Sequence, residues 1–536
     1  MTASEFTFQS LLQRSPARYA ASILSGLLLF VCFPLLSWSA LVWVACLPLL
    51  MAVVTERNWL RGFWLGYLSG AVFLAGSCYW FVNVMEGYGG LGPVVAVGVL
   101  VLFVIVFSTF YGVFGLLETV VARRSEHAAL LLGPFLWVSL ELARTYLITG
   151  FPWNLLGYAV RPLGLEQLAS ATAVYGLSFL AVSSSALVAW ALLRPGRKVR
   201  WAALAAWTVI LIAGNLLLLP PPPRHEPYVA VLVQPDIPLG ASAMETWIPW
   251  QNPAPLDNLV NESVEAARNS GATPSDPPLL VWPESSAPFY YNRDPVFRTA
   301  MKSMAKQAHA YVIGGTVTFA GPGTSKPQNA AVLLSPGGQL LLHYVKIHLV
   351  PFGEYVPWWA FPGKVGKITA QVGNFVPGKS VKVARTPEGV IGIFICYEAI
   401  FPQLVRKFAA DGAGVLVNIS DDGWYGNTAA PFQHFEMARF RAIENGRFLL
   451  RDTNNGITAI IDSYGRIRKE IPRNQRGILT GHFRYLSEKT FYTEHGDIFA
   501  WSCVAVAAGM ILMLLLLPGF RRAQSTAEQS NPEEIS

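Results

Sequence analysis

The stretch Ile391-Gly-Ile-Phe-Ile-Cys-Tyr-Glu-Ala-Ile400 is the one around which the rest of the chain is organised. Its β-branched and aromatic residues predict a short buried strand that ends at Cys396, with Tyr397 and Glu398 directly after it. The other four of the five cysteines fall inside long apolar segments, so Cys396 has no obvious disulfide partner. Taken alone, this stretch fits an inert core thiol as well as a reactive one.

The composition is that of a membrane protein. Hydrophobic residues make up 53% of the chain, charged residues make up 14%, and the mean hydropathy is +0.39. A membrane-spanning helix needs about 20 apolar residues, and the sequence contains about eight such segments. These predicted spans lie at roughly 19–35, 38–54, 63–82, 92–116, 128–148, 168–193, 201–219 and 498–517.

The spans divide the chain into four predicted regions. We expect a transmembrane domain of seven spans at 1–219, a soluble domain at 220–495, a transmembrane helix at 496–518 and a polar tail at 519–536. Pro220–Pro223 is typical of a rigid domain boundary. No small-residue cleavage site follows the first apolar run, so we interpret that run as a retained anchor.

Basic residues in the short loops predict the orientation, because cytoplasmic loops are enriched in Lys and Arg. One side carries twelve basic residues and the other only Arg144 and Arg161. Both termini are therefore predicted to be cytoplasmic and the large domain periplasmic, in a bacterial inner membrane. The net charge of +7 comes largely from these residues and does not indicate nucleic-acid binding. The twelve are Arg14, Arg18, Arg57, Arg61, Arg123, Arg124, Arg194, Arg197, Lys198, Arg200, Arg521 and Arg522.

Two ionisable residues lie within a predicted span. Glu141 and Arg144 are spaced i, i+3 on one helical face, which favours a structural pair, although ionisable residues in a span are functional candidates. The following loop, Gly150–Tyr158, resembles an interfacial aromatic belt. Its Trp153 and Asn154 are alternatively part of a lipid-binding mouth.

The soluble region alternates strands with helices. Several strands are continuous Val/Ile/Leu runs, which indicates an α/β fold whose sheets are covered by helices. Helices are predicted near 255–269, 294–309, 402–410 and 431–445. The predicted strands are Tyr228–Gln234, Pro278–Glu284, Tyr311–Phe319, Ala330–Ser335, Leu340–Leu349, the run ending at Cys396, Gly414–Ser420 and Phe448–Asp452.

Three chemically useful side chains stand at or near the carboxyl ends of these strands: Glu284, Lys346 and Cys396. Ligands of α/β sheets gather at that edge. A thiol needs a base to become a nucleophile, and a cation stabilises the thiolate and a later oxyanion. The three residue types suffice for acyl transfer, but their spacing does not show that they meet. A Cys–His pair using His348 or His434 is an alternative, and no metal-binding motif occurs.

Five short motifs together resemble the nitrilase (carbon–nitrogen hydrolase) superfamily. They are Trp282–Glu284, Tyr344–Pro357, Cys396–Glu398, Asn418–Ser420 and Asp422–Gly426. With spans on both sides of these motifs, the chain is most similar to the apolipoprotein N-acyltransferase family of Gram-negative bacteria. The resemblance covers nearly the whole chain. It departs from the common pattern at Asp421, where Asn is usual, and at Gly423, where Ala is usual.

The resemblance implies a nitrilase-like α-β-β-α sandwich and a Glu-Lys-Cys triad. In that triad Glu284 is the general base, Lys346 the oxyanion-stabilising cation and Cys396 the nucleophile. It also implies supporting roles for Glu354, Tyr397 and Glu398.

The implied reaction has two steps and needs no cofactor or metal. Cys396 takes the sn-1 acyl chain of a phospholipid, expected to be phosphatidylethanolamine, as a thioester. The α-amino group of the diacylglyceryl-cysteine of an apolipoprotein then attacks that thioester, which completes the lipoprotein.

Two aromatic stretches are predicted to control lipid access. One is the long Gly/Pro-rich loop from Tyr355 to about Gly378, with Trp358 and Trp359, and the other contains Trp247. Long loops of this kind are often lids. The alternative is that these tryptophans pack on the flank of the soluble domain.

Two other functions remain open from the sequence. A membrane-anchored nitrilase-type amidase acting on small periplasmic amides shares the triad but leaves about eight spans unexplained. A transporter or receptor whose outer domain only binds a ligand makes Cys396 dispensable, and it has few intramembrane charges to line a path.

Overall fold

The computed structural model describes residues 15–193, 198–240, 245–284, 287–321, 323–355 and 374–516. The first part of the chain is helical. Two 3₁₀ turns, Ser39–Trp43 and Leu156–Ala159, interrupt it. Its helices are α1 (Ser15–Val31), α2 (Leu47–Thr55), α3 (Trp59–Ser77), α4 (Trp80–Gly87), α5 (Pro93–Ala122), α6 (Glu126–Tyr146), α7 (Leu163–Glu166), α8 (Ala169–Leu193) and α9 (Lys198–Leu217).

Every predicted span coincides with a helix or a pair of helices, but fewer than eight meet the requirements for crossing a membrane alone. In the described ranges, α5, α6, α8 and α9 are long and apolar enough. The pair α3 and α4, bent by 49°, makes a fifth if it is one span. Three further apolar stretches, Ser15–Val31, Ser39–Thr55 and Ile498–Leu514, are shorter. The chain therefore has a polytopic helical membrane domain, with four or five clear candidate spans.

Helices α3 and α5 approach closely because small residues face each other. A Cβ added at Gly66 would lie 2.1 Å from the carbonyl oxygen of Tyr111, and one at Gly62 would lie 2.2 Å from Oγ1 of Thr119. Without a hydrophobic driving force in lipid, helices associate through such close packing. The close contact between α3 and α5 therefore depends on glycine, which has no side chain, at positions 62 and 66.

The polar residues predicted in α6 are held by separate partners. Glu141 accepts a hydrogen bond from the backbone N–H of Leu156 at 2.8 Å. Arg144 donates to the hydroxyl of Tyr111 and to the carbonyl of Trp153, both at 3.1 Å. These bonds tie the outer loop to the membrane helices.

The second part is the predicted α/β domain. It contains two six-stranded sheets, ordered β12-β1-β2-β3-β4-β5 and β11-β10-β9-β8-β7-β6. The strands are β1 (Tyr228–Gln234), β2 (Leu279–Val281), β3 (Tyr311–Phe319), β4 (Pro327–Leu334), β5 (Leu340–Val345), β6 (Val383–Arg385), β7 (Val390–Ile395), β8 (Val415–Ser420), β9 (Phe448–Thr453), β10 (Thr458–Ile461), β11 (Ile467–Ile471) and β12 (Gly477–Phe483). The remaining helices are α10 (Ala254–Arg268), α11 (Pro295–Ala308), α12 (Pro402–Ala410), α13 (Ala430–Asn445), α14 (Phe491–His495) and α15 (Ile498–Leu516).

The sheets form the middle layers of an α-β-β-α sandwich. Strands β1, β2 and β3 run parallel, as do β7, β8 and β9, because a helix connects each pair. In β1, Val229 and Val231 belong to the core formed with α10 and α11, whereas Ala230 and Leu232 belong to the core shared with the second sheet. Both faces are buried, which explains the continuous apolar runs. The predicted fold class of this domain is confirmed.

Buried ion pairs join the two parts. Helix α13 packs on the second sheet and also against α8 of the membrane domain. On α13, Arg439 donates to both carboxylate oxygens of Glu166, at 2.6 and 3.0 Å. Glu436 accepts from Arg161 in the same outer loop. The membrane domain and the sandwich therefore share one packed interface.

We expect Gly66→Ala to lower the midpoint of thermal unfolding in detergent. The added methyl group overpacks the α3–α5 contact, and overpacking typically costs about 1–3 kcal/mol. Gly98→Ala on α5 is the matched control, because a Cβ there meets no atom within 4 Å. Equal midpoints for the two variants, measured by differential scanning fluorimetry, would contradict the role of close packing.

Candidate active site

The three side chains singled out in the sequence meet where strands of the two sheets end. Glu284 follows β2, Lys346 follows β5 directly, and Cys396 follows β7 directly. All three line one cavity. The loop after β2 and the ends of β5 and β7 therefore border the same cavity. Ligands of α/β folds bind at such strand ends.

The ammonium group of Lys346 is buried between two carboxylates. Its Nζ lies 2.9 Å from Oε1 of Glu354 and 3.4 Å from Oε1 of Glu284, and only 1% of the residue is exposed. Burial by itself lowers the pKa of Lys346, but the charges of Glu284, Glu354 and Cys396 outweigh it and raise that pKa above its ordinary value. Lys346 is therefore a fixed cation in this site.

Asn329 bridges the same two carboxylates and was missed in the sequence. Its Nδ2 donates to Oε1 of Glu284 and to Oε1 of Glu354, each at 2.7 Å. The main-chain carbonyl of Asn329 accepts a hydrogen bond from the backbone N–H of Lys346 at 2.9 Å. The only signal was its amide side chain directly before the apolar run Ala330–Leu334 of β4. Glu354 is anchored in turn by the backbone N–H of Val350 at 2.7 Å.

The second oxygen of Glu284 is held from the other sheet. It accepts from the backbone N–H of Asp421 at 2.9 Å. The Asp421 carboxyl accepts from the backbone N–H of Gly423 at 3.0 Å and from Nδ2 of Asn454 at 3.3 Å. Burial, and then the charge of Glu284, raises the pKa of Asp421 well above its usual range. Asp421, which stands where Asn is usual in the family, thus orients the carboxylate of Glu284 through its backbone N–H.

Cys396 begins a 3₁₀ turn, Cys396–Ile400, and has a φ of 49°. A non-glycine residue with positive φ is uncommon and is often found at functional sites. The thiol is buried, and burial together with the charge of Glu284 raises its pKa well above its ordinary value, against the opposing effect of Lys346. This environment favours the protonated thiol, so its proton needs an acceptor when it reacts.

Glu398 connects the nucleophile turn to the end of β5. Its Oε1 accepts from the hydroxyl of Tyr344 at 2.8 Å and from the backbone N–H of Ile347 at 2.6 Å, and its Oε2 accepts from the backbone N–H of Ile395 at 2.8 Å. Burial raises the pKa of Glu398 to about 7, although these hydrogen bonds offset part of the rise. Glu398 thus holds the residues on both sides of Lys346 next to the end of β7, which leads into Cys396. The ring of Tyr397 lines the cavity.

The two histidines considered as alternative bases face other groups. Nε2 of His434 lies 3.1 Å from the carbonyl oxygen of Cys396, and its Nδ1 lies 2.9 Å from Oδ1 of Asp422. Nε2 of His348 lies 3.1 Å from the carbonyl oxygen of Thr149. None of these ring nitrogen contacts is with the thiol of Cys396.

The cavity has a volume of about 800 Å³ and is lined from both parts of the protein. Its polar end holds the residues described above. Its apolar walls come from α4, α5 and the outer loop of the membrane domain. The apolar residues of these walls include Trp80, Phe81, Val84, Phe103, Phe107 and Phe151. Glu284, Lys346 and Cys396 therefore line a largely apolar cavity whose walls are built in part by membrane helices.

Of the three tryptophans predicted to control lipid access, the structure describes Trp247. Trp247 is half-buried and packs against the core under α10 and α11, while its neighbours Glu245 and Ile248 line the cavity. Trp358 and Trp359 lie outside the described residues.

Two family models match the chain. One is described as "Carbon-nitrogen hydrolase" and matches residues 231–485, and the other is described as "Apolipoprotein N-acyltransferase N-terminal domain" and matches residues 25–187. A curated apolipoprotein N-acyltransferase of Geobacter metallireducens is 38% identical, over 91% of this chain and 94% of the relative. One of Allorhizobium ampelinum is 32% identical, over 84% and 86%. Among solved structures, a mutant amidase of the nitrilase superfamily from Nesterenkonia AN1 is 19% identical, over 52% of this chain and 98% of that chain, with a TM-score of 0.38.

We expect Asn329→Asp to slow alkylation of Cys396 by iodoacetamide about 10-fold at pH 8. A third carboxylate beside Glu284 and Glu354 raises the thiol pKa, and one pKa unit is a tenfold change in thiolate. The rate is measured by peptide mass spectrometry. Gln328→Glu is the control, because it makes a similar charge change on the opposite face of β4. An unchanged rate in Asn329→Asp would show that Asn329 does not set the electrostatics of the site.

Proposed function

Because the chain belongs to the apolipoprotein N-acyltransferase family, we propose that it transfers the sn-1 acyl chain of a phospholipid to the α-amino group of the diacylglyceryl-cysteine of apolipoproteins. The single observation that carries this proposal is the largely apolar cavity of about 800 Å³ that Cys396 lines together with residues of the membrane helices. A chamber of that size and lining suits an acyl chain. A small amide needs no such walls.

In the first step the thiol of Cys396 attacks the ester carbonyl of the phospholipid while its proton passes to Glu284. The Lys346 ammonium stabilises the oxyanion that forms. When the intermediate collapses, the ester C–O bond breaks, and the leaving alkoxide takes the proton back from Glu284. The products are a thioester on Cys396 and a lysophospholipid.

In the second step the α-amino group of the apolipoprotein attacks the thioester carbonyl. The amine proton passes to Glu284, the C–S bond breaks, and the thiolate recovers a proton. The product is an amide. Two easier displacements thus replace one difficult transfer. The buried pairing of Lys346 with Glu284 and Glu354 supports these roles, because it holds base and cation at fixed distances.

We also propose the topology that the sequence predicts. Eight spans place both termini in the cytoplasm and the sandwich in the periplasm, beside the outer leaflet of the inner membrane. That arrangement puts Cys396 on the side where diacylated apolipoproteins and phospholipids are both anchored. Phosphatidylethanolamine is the proposed acyl donor.

We further propose that the segment around Trp247 contacts lipid at the entrance to the cavity. The neighbouring Glu245 and Ile248 line the chamber, which supports this position. The same role is proposed for Trp358 and Trp359.

We expect incubation with phospholipid to add one acyl mass to the wild-type protein at Cys396. Cys396→Ala forms no adduct, and Glu284→Gln slows adduct formation about 10²–10⁴-fold because general-base help is lost. Lys346→Ala also slows it. Cys503→Ala, which changes a buried cysteine of α15, is the control and keeps the adduct. The measurement is intact-mass spectrometry with tryptic mapping.

A Cys396→Ala variant that still acylates a diacylated peptide at the wild-type rate would overturn this assignment. Hydrolysis of a panel of small amides, faster than reaction with phospholipid, would favour an amidase instead.

We expect a nitroxide label at position 247 to be more accessible to oxygen, which partitions into the bilayer, than to a water-soluble nickel chelate. A label at Glu262, which lies on the exposed side of α10, is the control and is expected to show the reverse. Equal preference for the nickel chelate at both positions, measured by power-saturation electron paramagnetic resonance, would place Trp247 away from lipid.

A further inference from the structure

The backbone of the nucleophile needs a support that the reaction groups do not supply. Cys396 holds a φ of 49°, which L-residues adopt at a cost unless their surroundings hold them there. The β7 ladder ends at Ile395, so the carbonyl of Cys396 has left the sheet. That carbonyl lies 3.1 Å from Nε2 of His434.

His434 is itself held from its other side. The ring is fully buried on α13, and Nδ1 lies 2.9 Å from Oδ1 of Asp422. Asp422 also accepts from the hydroxyl of Ser420 at 2.9 Å and from Arg451 at 2.6 Å. Burial raises the pKa of Asp422, but Arg451 and His434 outweigh it and hold that pKa below its usual range. Nη2 of Arg451 also lies 3.2 Å from Nδ1 of His434, so the carboxylate and the guanidinium together hold this side of the ring.

Aromatic rings fix the plane of the imidazole. The ring of Trp153 lies 5.9 Å from that of His434 at an interplanar angle of 18°, and the ring of Tyr425 lies 6.0 Å away at 67°. Trp153 belongs to the outer loop of the membrane domain and its carbonyl accepts from Arg144. The orientation of His434 thus depends on both parts of the protein.

We propose that His434 is a positioning residue for Cys396, whose Nε2–H donates to the Cys396 carbonyl and fixes the left-handed backbone that carries the thiol. A carbonyl oxygen only accepts, so Nε2 must carry the hydrogen. With that hydrogen engaged, Nε2 does not take the thiol proton. The inference rests on the proposed function, since positioning matters through the acyl transfer at Cys396.

The size of the effect follows from the geometry of attack. A nucleophile displaced by about 1 Å from its reacting position loses about 100-fold in rate. Loss of the His434 contact would displace the thiol of Cys396 but would leave the apolar cavity that binds the acyl chain unchanged. The rate constant of thioester formation should therefore fall while the KM for phospholipid stays the same.

The test compares His434→Phe with His434→Gln in single-turnover acylation of the full-length protein by phosphatidylethanolamine in detergent. His434→Phe keeps a ring between Trp153 and Tyr425 but has no donor, and we expect a rate about 100-fold lower with unchanged KM. The amide of Gln places an N–H close to the position of Nε2, so His434→Gln should lie within about 10-fold of wild type. His343→Phe is the control, because Nε2 of His343 contacts Thr318 on the first sheet, and it should keep the wild-type rate.

A wild-type rate in His434→Phe would overturn the proposal. So would equal losses in His434→Phe and His434→Gln that follow their loss of melting temperature, because that result shows packing alone. Loss of thioester in both variants, with loss of the acidic limb of the pH–rate profile, would identify His434 as the base.

Alkylation of Cys396 by iodoacetamide in the same variants separates this proposal from the proposed function. If the wild-type protein forms no acyl adduct, the proposed function fails. The alkylation rates of His434→Phe and His434→Gln still report on the position of the thiol, and equal rates in both variants and wild type would overturn the positioning role.

Discussion

The buried ammonium of Lys346 is the constraint on which the rest of the structure depends. Removing a charge from water costs several kcal/mol per ion unless it is paired and hydrogen-bonded. Here Glu284 and Glu354 supply the opposite charges, and Asn329 supplies the donor that holds both carboxylates beside it. Because these groups come from β4 and from the loops after β2 and β5, their pairing fixes how the two loops lie against each other. The same arrangement places a carboxylate and an ammonium group on the wall of the cavity that Cys396 also lines.

The membrane domain does more than anchor the sandwich. Its helices α4 and α5 build the apolar walls of the cavity, and its outer loop packs on α13, the helix that carries His434. Buried ion pairs such as Arg439 with Glu166 fix this interface. Breaking one partner of such a pair leaves an uncompensated charge, which typically costs about 3–5 kcal/mol. The cavity is therefore built jointly, with Glu284, Lys346 and Cys396 of the sandwich and apolar side chains of the membrane helices on its walls.

Two features of the site were beyond the reach of sequence reasoning. Asn329 lay just outside the predicted strand Ala330–Ser335 and was not singled out, since its contact with two glutamates requires the antiparallel pairing of β3, β4 and β5. His434 was weighed as a base, but its Nε2 meets a main-chain carbonyl, and no spacing in the sequence specifies that atom. The sequence predicts about eight spans, whereas in the described ranges four helices, or five if the bent pair is one span, are long and apolar enough to cross alone. Apolar composition does not distinguish a full span from a shorter or bent helix.

The sequence by itself determined the local elements and the chemical types of the three candidate residues. Continuous apolar runs predict strands buried on both faces, and Glu284, Lys346 and Cys396 were recognisable because each follows such a run. Only the tertiary structure decided how these groups meet, which oxygen binds which donor, and what holds the nucleophile in its left-handed conformation. The physical reason is that strand formation depends on neighbours in sequence, whereas a buried charge or carbonyl finds its partner through packing between segments far apart in the chain.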